Sequence, residues 1–251
     1  MTRGSRRGRV LGAAAVITVA ATVVTTTLFA ASGSGAPSAL AVVTSALSKT
    51  AADKYSFGLD STTQIGERLV SQVLVSGMFD PGRDLGAELL TTSYQRHPVT
   101  AHILFVGDYV YTSVSPGSGL GTMGTLWDKA PVPPPSAGYG FVSDQPVTLA
   151  DLTGLLRHAR AVREVGPASG AGWTGISYSF TARLSGASVD GIVYIDRQDR
   201  VRREVTTATS AHGFAMHWDL ALNYFVAQET VTRPPASQVT YTSTPYWGWY
   251  F

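Results

Sequence analysis

Residues 176–184 read ISYSFTARL, and apolar side chains occupy every second position of this stretch. Residues 214–223 repeat the pattern, with apolar side chains at Phe214, Met216, Trp218, Leu220 and Leu222. A two-residue period places alternate side chains on opposite faces of a β-strand, so one face is apolar and the other is polar. Strands with a single apolar face are typical of antiparallel sheets, whereas strands of parallel sheets are apolar on both faces. These two stretches therefore predict an antiparallel sheet.

Similar runs recur along most of the chain and are separated by short turns. The segments 65–68, 80–83, 107–108 and 196–200 contain the glycine, proline or aspartate residues that favour hairpin turns. The other predicted strands cover residues 55–60, 69–79, 85–92, 103–106, 109–114, 126–127, 189–195 and 201–207. Between 115 and 147 the chain is rich in proline and glycine, which predicts a long loop that is either a lid or a tolerated surface insertion.

Two segments have helical spacing instead. The first begins at Ser38, a residue that can cap a helix, and ends near Lys54; Leu40, Val43 and Leu47 form its predicted apolar stripe. The second covers residues 148–165 and is followed by Gly166 and Pro167, which predict its end. Its predicted cap is Thr148 with Asp151, and its predicted apolar face consists of Leu149, Leu152, Leu155, Leu156 and Ala159.

These patterns predict an α+β fold. We expect a curved antiparallel half-barrel sheet of about nine to eleven strands, wrapped around two main helices. The charge pattern and the N-terminal residues indicate where the domain begins and which segments precede it.

The net charge of the chain is +2, from 19 Lys and Arg against 17 Asp and Glu among 251 residues. Four of the basic residues, Arg3, Arg6, Arg7 and Arg9, lie in the first nine positions, which contain no acidic residue. Without these four arginines the balance is 15 basic against 17 acidic residues. The basic character is therefore local, and it does not indicate a nucleic-acid partner.

The arginines precede an uncharged segment, residues 10–31, which begins at Val10 and ends at Ala31. As a helix it would measure roughly 33 Å, enough to cross a hydrocarbon core of about 30 Å. Basic residues before an apolar segment favour a cytoplasmic N terminus and an extracytoplasmic remainder. The segment is either a retained anchor, which makes the protein a single-pass cell-membrane protein, or a signal peptide with the cleavage motif Ala30-x-Ser32, which makes it secreted.

The predicted organisation has four parts. A basic stub with the membrane or signal segment covers residues 1–31, and a flexible glycine- and serine-rich linker covers 32–37. The extracytoplasmic domain covers 38–243. An aromatic tail covers 244–251.

The order of these features is similar to that of a known superfamily. The stretches that carry the similarity are SALAVVTSALSKTAADKYSFGL, FDPGRDLGAELL, ILFVGDYVYTSV with LWDKAP, TLADLTGLLRHARAVREVG, IVYIDRQDRVRREVTT and ETVTRPPASQV. In their order and spacing, over roughly residues 38 to 240, the chain resembles the LolA-like superfamily, in particular LppX/LprG-type actinobacterial envelope proteins. The resemblance implies a half-open antiparallel barrel around helices, with an apolar cavity for the acyl chains of lipids or lipid-linked glycans.

The chain departs from these proteins in its attachment to the membrane. Many of them are lipoproteins attached through an N-terminal cysteine, and this sequence contains no cysteine. The segment 10–31 would replace the lipid anchor. Because a permanently inserted carrier cannot shuttle between membranes, local binding, hand-off or sensing is favoured over transport.

No enzymatic motif stands out in the sequence. It contains neither the Gly-x-Ser-x-Gly motif of a nucleophile elbow nor a P-loop. The histidines are scattered, at positions 97, 102, 158, 212 and 217, and their spacing does not suit a metal site. The sequence therefore predicts a protein that is not an enzyme and has neither a metal nor a cofactor.

The candidate ligand-binding residues are the apolar residues of the two opening strands. They are predicted to face the concave side of the sheet: Ile176, Tyr178, Phe180, Phe214, Met216, Trp218 and Leu220. Two interpretations remain open, because these side chains either line a cavity for an acyl chain or pack against the helices as an ordinary core.

Two surface features complete the prediction. The tail contains Tyr246, Trp247, Trp249, Tyr250 and Phe251, and such residues favour a membrane interface or a partner, or pack back as a terminal strand. Arg197, Arg200, Arg202 and Arg203 gather on one hairpin, where they are expected to form a solvated edge that discourages strand pairing. The less favoured alternative for these arginines is a contact with anionic lipid head groups.

Together these features predict an extracytoplasmic, membrane-associated, non-catalytic protein that binds a lipid, a glycolipid or another amphiphile. The alternative is a structural or sensory domain with a filled core that binds an envelope protein.

Overall fold

The computed structural model describes residues 37–94, 97–114, 126–132, 154–184, 187–210, 213–224 and 230–242, without the side chains of residues 94–99 and 184. The predicted membrane segment and the predicted aromatic tail lie outside these residues. No helix in the described ranges has the length and apolar character needed to cross a membrane.

The first helix, α1 (Ala39–Ala52), begins where the sequence predicts. Ser38 caps it, because the Ser38 hydroxyl accepts a hydrogen bond of 3.2 Å from the Ala41 amide. Its buried face consists of Val43, Ala46, Leu47 and Thr50. Leu40 does not belong to this face, since 47% of its surface is exposed.

Twelve strands of the described residues form one sheet, and it is not closed. They are β1 (Tyr55–Ile65), β2 (Arg68–Asp80), β3 (Leu85–Tyr94), β4 (His97–Val106), β5 (Tyr109–Val114), β6 (Trp127–Pro131), β7 (Arg160–Gly170), β8 (Trp173–Leu184), β9 (Ala187–Asp196), β10 (Val201–Thr209), β11 (Phe214–Asn223) and β12 (Val239–Tyr241). Their order is β12-β6-β5-β4-β3-β2-β1-β11-β10-β9-β8-β7. Every neighbouring pair is antiparallel except β12 with β6, which are parallel.

Short hairpins join most of the strands, as their turn residues predict. The turn between β1 and β2 uses Gly66 at a φ of +60°, and the turn between β4 and β5 uses Gly107 at +59°. Glycine adopts this left-handed conformation without steric cost, which fixes both two-residue turns. The pairing of β1 with β11 then joins the hairpins on either side into one sheet.

The predicted second helix is wrong from residue 158 onward. Its first residues lie outside the described part of the chain, and the described helix α2 (Gly154–Arg157) has a single turn. Residues 160–170, including Gly166 and Pro167, form β7 instead. Ala161 has a φ of +48°, which a helix cannot contain, and β7 pairs along β8. Pairing in the sheet has overridden the local helical pattern.

Consequently, the described residues contain twelve strands instead of nine to eleven, and one long helix instead of two. The additional strands are β7, which the sequence assigned to a helix, and the short parallel strand β12 after a 3₁₀ turn at Ala236–Gln238.

One face of the sheet carries the main core and is called the inner face. Its side chains Phe57, Leu59, Phe180 and Leu220 belong to the same buried cluster as Val43 of α1. Each side chain fully buried in such a cluster contributes roughly 1.5–3 kcal/mol of transfer free energy. A second cluster, formed by Ile103, Phe105, Val110 and Ala130, lies on the inner side of β4–β6.

Large rings of the inner face lie over glycines on the neighbouring strand. In each pair the two residues are directly opposite in the register: Phe57–Gly77, Phe79–Gly86 and Phe180–Gly191. A β-carbon added at Gly77 or Gly86 would lie only 2.7 Å or 2.6 Å from the ring opposite. The absent side chain thus makes room for the ring, which in turn covers the bare backbone.

Candidate functional site

The seven candidate binding residues share the inner face, and five of them are buried. Tyr178 lies opposite Val193 of β9, and Leu220 lies opposite Leu59 of β1. The buried residues are Tyr178, Phe180, Met216, Trp218 and Leu220. They belong to the cluster that also contains residues of α1 and α2. The helices therefore pack over this part of the inner face.

The other two candidates lie at opposite ends of the face and are less covered. Ile176 is 38% exposed at the end of β8 that adjoins Trp173. Phe214 is half-buried at the start of β11, opposite Ile65, which is 56% exposed. A partly exposed apolar pair at the rim of a buried apolar face is a place where an apolar ligand can make contact.

The width of the inner face exceeds what the described helices can cover. Neighbouring strands lie about 4.8 Å apart, so twelve strands span roughly 50 Å, whereas a helix with its side chains is about 10 Å wide. The helix α1 contacts β7, β9, β10 and α2. On the inner face of β2 and β3, Val73, Phe79 and Leu90 are only partly buried, whereas Val75 is buried.

A buried polar group, which sequence reasoning did not identify, lies on this face. Glu204 of β10 is fully buried, between Leu220 and Val193 in the register. The Thr206 hydroxyl donates a hydrogen bond of 3.2 Å to Glu204 Oε1. Burial raises the pKa of Glu204 to about 8, although hydrogen bonds from Thr206 and Trp218 oppose that shift. Its carboxyl is therefore mainly protonated at neutral pH and brings no charge into the core.

A break in the strand pattern brings Glu204 to the inner face. The register of β10 against β9 shifts between Val201 and Arg203, so an extra residue enters the alternation. Both Val201 and Glu204 are buried, although they lie three positions apart and regular alternation would place them on opposite faces. Because the sequence carries no sign of the shift, alternation counted from Val201 would place Glu204 on the opposite face.

The arginines of the β9–β10 hairpin do not form a solvated edge, which corrects the prediction. Strands β9 and β10 lie inside the sheet, and Arg202 is only 2% exposed. On the outer face, Arg203 Nε donates a hydrogen bond of 2.8 Å to Asp219 Oδ1, and its Nη2 pairs with Asp219 Oδ2. Arg200 donates to Asp196 Oδ2 from Nε at 3.3 Å and from Nη2 at 3.2 Å.

Three of these arginines, Arg197, Arg200 and Arg202, line an open cleft of about 520 Å³ at the end of the sheet, which we call the hairpin cleft. Its walls are formed by Ser169, Gly170, Gly172, Trp173, Thr174, Asp196, Arg197, Gln198, Arg200 and Arg202. The guanidinium carbon of Arg202 lies 5.9 Å from the ring centre of Trp173 and 5.2 Å from that of Tyr224. A basic cleft with an aromatic wall suits an anionic group.

A second open groove, of about 590 Å³, crosses the outer face from β7 to β10. Arg163, Asp190 and several hydroxyl side chains line it, with Ile192 and Val205 at its base. Its charges are balanced, and the groove indicates no particular ligand.

The described residues contain no group of three or more side chains that could hold a metal ion. His102 and His158 are exposed, and His217 is exposed with its Nδ1 atom 3.1 Å from the Thr207 hydroxyl. Of the other two histidines, His212 lies outside the described residues, as does the aromatic tail from Tyr246 to Phe251.

The chain matches no protein-family model and no curated protein sequence. Among solved structures it is similar to LprF from Mycobacterium bovis, at 14% identity and a TM-score of 0.48, covering 80% of this chain and 99% of LprF. It is also similar to the lipoprotein LppX from Mycobacterium tuberculosis, at 11% identity and a TM-score of 0.44, covering 74% and 93%. A LolA superfamily protein from Nitrosomonas europaea matches at 10% identity and a TM-score of 0.32, covering 77% and 96%. The resemblance expected from the sequence is thus confirmed as a structural similarity.

Proposed function

We propose that the protein is a non-catalytic, extracytoplasmic binding protein whose inner sheet face holds the apolar part of a lipid or another amphiphile. The observation that carries this proposal is the extent of apolar inner face beyond the described helices. Val73, Phe79 and Leu90 are only partly buried there, and the Ile65–Phe214 pair forms an exposed apolar rim. An acyl chain that covers such side chains gains roughly 0.8 kcal/mol for each buried methylene group.

The proposal includes the location of the protein. The segment 10–31 keeps the chain at the cell membrane, or directs its secretion if it is cleaved, and either route places the binding face outside the cytoplasm. The resemblance in sequence implies the same class of ligand. The aromatic tail, from Tyr246 to Phe251, would contact the membrane surface or a partner.

A second candidate function is favoured by a different observation. Five candidate residues are buried against the helices, as the side chains of a filled core would be. They are Tyr178, Phe180, Met216, Trp218 and Leu220. A filled core would leave a structural or sensory domain that binds an envelope protein through its surface.

Photo-cross-linking separates the two functions. Cells that produce the full chain are supplied with a photoactivatable diazirine fatty acid and irradiated, and the cross-linked peptides of the purified chain are mapped by mass spectrometry. The amphiphile-binding function predicts cross-links in β1–β4. Cross-links confined to residues 10–31, which contact lipid in any membrane anchor, would overturn it and favour the filled core.

A matched pair of variants tests the face directly. Val73 and Leu74 are neighbours in β2, and Val73 is partly buried on the inner face whereas Leu74 is 44% exposed on the outer face. Val73→Phe should reduce cross-linking in β1–β4 by about tenfold, because the larger ring takes the space of the acyl chain. Leu74→Phe should leave the cross-linking unchanged. Equal effects of the two substitutions would contradict the proposal.

A further inference from the structure

The side chain of Arg202 is a buried cation whose charge is poorly compensated. Only 2% of the residue is exposed, and burial lowers the pKa of its guanidinium. Among the described carboxylates, the one that pairs with it is Asp196, at a distance of 3.8 Å between Arg202 Nη1 and Asp196 Oδ2. That distance is too long for a hydrogen bond, and the buried Nε of Arg202 has no hydrogen-bond partner among the described residues.

The carboxylate of Asp196 is already engaged by other donors. Its Oδ2 accepts two hydrogen bonds from the Arg200 side chain, and its Oδ1 accepts the backbone amides of Gln198 and Arg200 at 2.9 and 3.0 Å. Asp196 therefore orders the hairpin and is shared between two arginines. Arg200 also lies 3.8 Å from Asp53 Oδ2, whereas Arg202 has no carboxylate other than Asp196 within 4 Å among the described residues. Buried charges in proteins are normally paired and hydrogen-bonded, so the site has capacity for one more anion.

Arg202 is buried, but it borders an open cleft. Arg202 lines the hairpin cleft together with Arg197 and Arg200, against the single carboxylate of Asp196, which gives the lining an excess of two positive charges. The volume of about 520 Å³ lies within the range of small-molecule sites. The Arg202 guanidinium lies within cation–π distance of the rings of both Trp173 and Tyr224.

We propose that the hairpin cleft binds a phosphate group, carried either by a small phosphorylated solute or by a lipid head group. A guanidinium donates two parallel hydrogen bonds to such an oxyanion, and the exposed side chain of Arg197 supplies a further positive charge. At Gly172, where an added β-carbon would meet no atom within 4 Å, the bare backbone leaves room for the ligand. This site goes beyond the proposed function, since the cleft lining contains none of the seven candidate binding residues and the site would persist if no acyl chain bound to the inner face.

Calorimetry on the full chain, held in phosphatidylcholine nanodiscs, tests the site with three probes. Inorganic phosphate and glycerol 3-phosphate represent a free solute, and dihexanoylphosphatidylglycerol, a short-chain soluble lipid, represents a head group. Binding should weaken as sodium chloride is added, because the interaction is between charges. Arg202→Met should weaken binding by at least about tenfold, because it removes the buried donors.

Two further variants keep the test decisive if Arg202→Met perturbs folding. Arg197→Gln removes an exposed charge of the same cleft and should weaken binding by roughly threefold. Arg68→Gln removes an exposed arginine at the start of β2, outside the cleft lining, and should have no effect.

The outcomes separate the sources of the phosphate. Binding of inorganic phosphate or glycerol 3-phosphate that depends on Arg202 and Arg197 supports a site for free phosphorylated solutes. Binding of dihexanoylphosphatidylglycerol alone, with the same dependence, supports a head-group site. The proposal is overturned if none of the probes binds, or if probes bind equally to the Arg197→Gln and Arg68→Gln variants.

Discussion

The backbone amide of Val201 donates a hydrogen bond of 2.9 Å to the hydroxyl oxygen of Thr50, and 151 residues separate the two in sequence. Thr50 lies in the last turn of α1 and Val201 begins β10, and both are fully buried. The Thr50 hydroxyl also donates to the Ala46 carbonyl at 2.7 Å, and the Tyr224 hydroxyl lies 3.2 Å from Thr50 Oγ1 while donating to the Val201 carbonyl at 2.6 Å. This junction fixes the end of the helix on the sheet.

Thr50→Val should lower the free energy of unfolding by about 1–3 kcal/mol, because it leaves the buried amide of Val201 without an acceptor. Urea denaturation of the full chain in mild detergent, followed by tryptophan fluorescence, measures this change. Thr44→Val is the matched control: the Thr44 hydroxyl also bonds to the carbonyl four residues earlier, Leu40, but Thr44 is exposed. If both variants lost the same stability, the junction would contribute nothing specific.

Gly191→Ala should destabilise the protein by about 1–3 kcal/mol through overpacking. The added methyl group would clash with the ring of Phe180, which is 2% exposed and has little room to move. Gly58→Ala is the control within the same sheet, since a β-carbon at Gly58 meets no atom within 4 Å, and its effect should stay within about 0.5 kcal/mol. A comparison of the two unfolding midpoints decides whether the ring depends on the glycine beneath it.

The raised pKa of Glu204 should make the free energy of unfolding decrease as the pH rises. Its pKa is about 8 in the folded protein against an ordinary value of 4.5, so the folded state holds a proton that the unfolded state releases. Its protonation therefore stabilises the fold fully at pH values below about 4.5, and this contribution is lost as the pH rises through 8.

Glu204→Gln removes that dependence while keeping the shape of the side chain. Between pH 5 and 8, the stability of the wild type should fall relative to the variant by up to about 1.4 kcal/mol per pH unit. Urea titrations at several pH values measure the difference, with Glu67→Gln, in the exposed turn between β1 and β2, as the control for the loss of one glutamate. Parallel stability curves for the wild type and Glu204→Gln would contradict the assignment.

Local chemistry explains which parts of the fold could be predicted. The hairpin at Gly107 and the cap at Ser38 each depend on one or two neighbouring residues, so the sequence alone identifies them. The strands of residues 176–184 and 214–223 could also be predicted, because the alternation of apolar and polar residues indicates which face of a strand is buried.

The predictions fail where the structure of a segment depends on residues that are distant in sequence. Residues 160–165 have a helical pattern, but they pair with β8, and that partner is not visible in their own sequence. The environment of Arg202 likewise depends on Trp173, Asp196 and Tyr224, which lie on different strands or after them. The register shift after Val201 is also not visible in the sequence, so the position of Glu204 on the inner face could not be predicted. A buried charge with aromatic neighbours could therefore be recognised only in three dimensions.

The ion pair between Arg203 and Asp219 on the outer face should contribute a small, salt-sensitive coupling energy. Two hydrogen bonds join the side chains of adjacent strands, but each side chain remains about one-third exposed, at 34% and 33%, so water screens the attraction. A double-mutant cycle with Arg203→Met and Asp219→Asn should give about 0.5–1 kcal/mol at low salt, and less in 1 M sodium chloride. The more exposed pair of Lys49 with Asp199, at 3.6 Å and with side chains 51% and 68% exposed, should give almost no coupling. A coupling at Arg203 that persisted in high salt would mean that hydrogen-bond geometry, and not charge, holds β10 to β11 at this point.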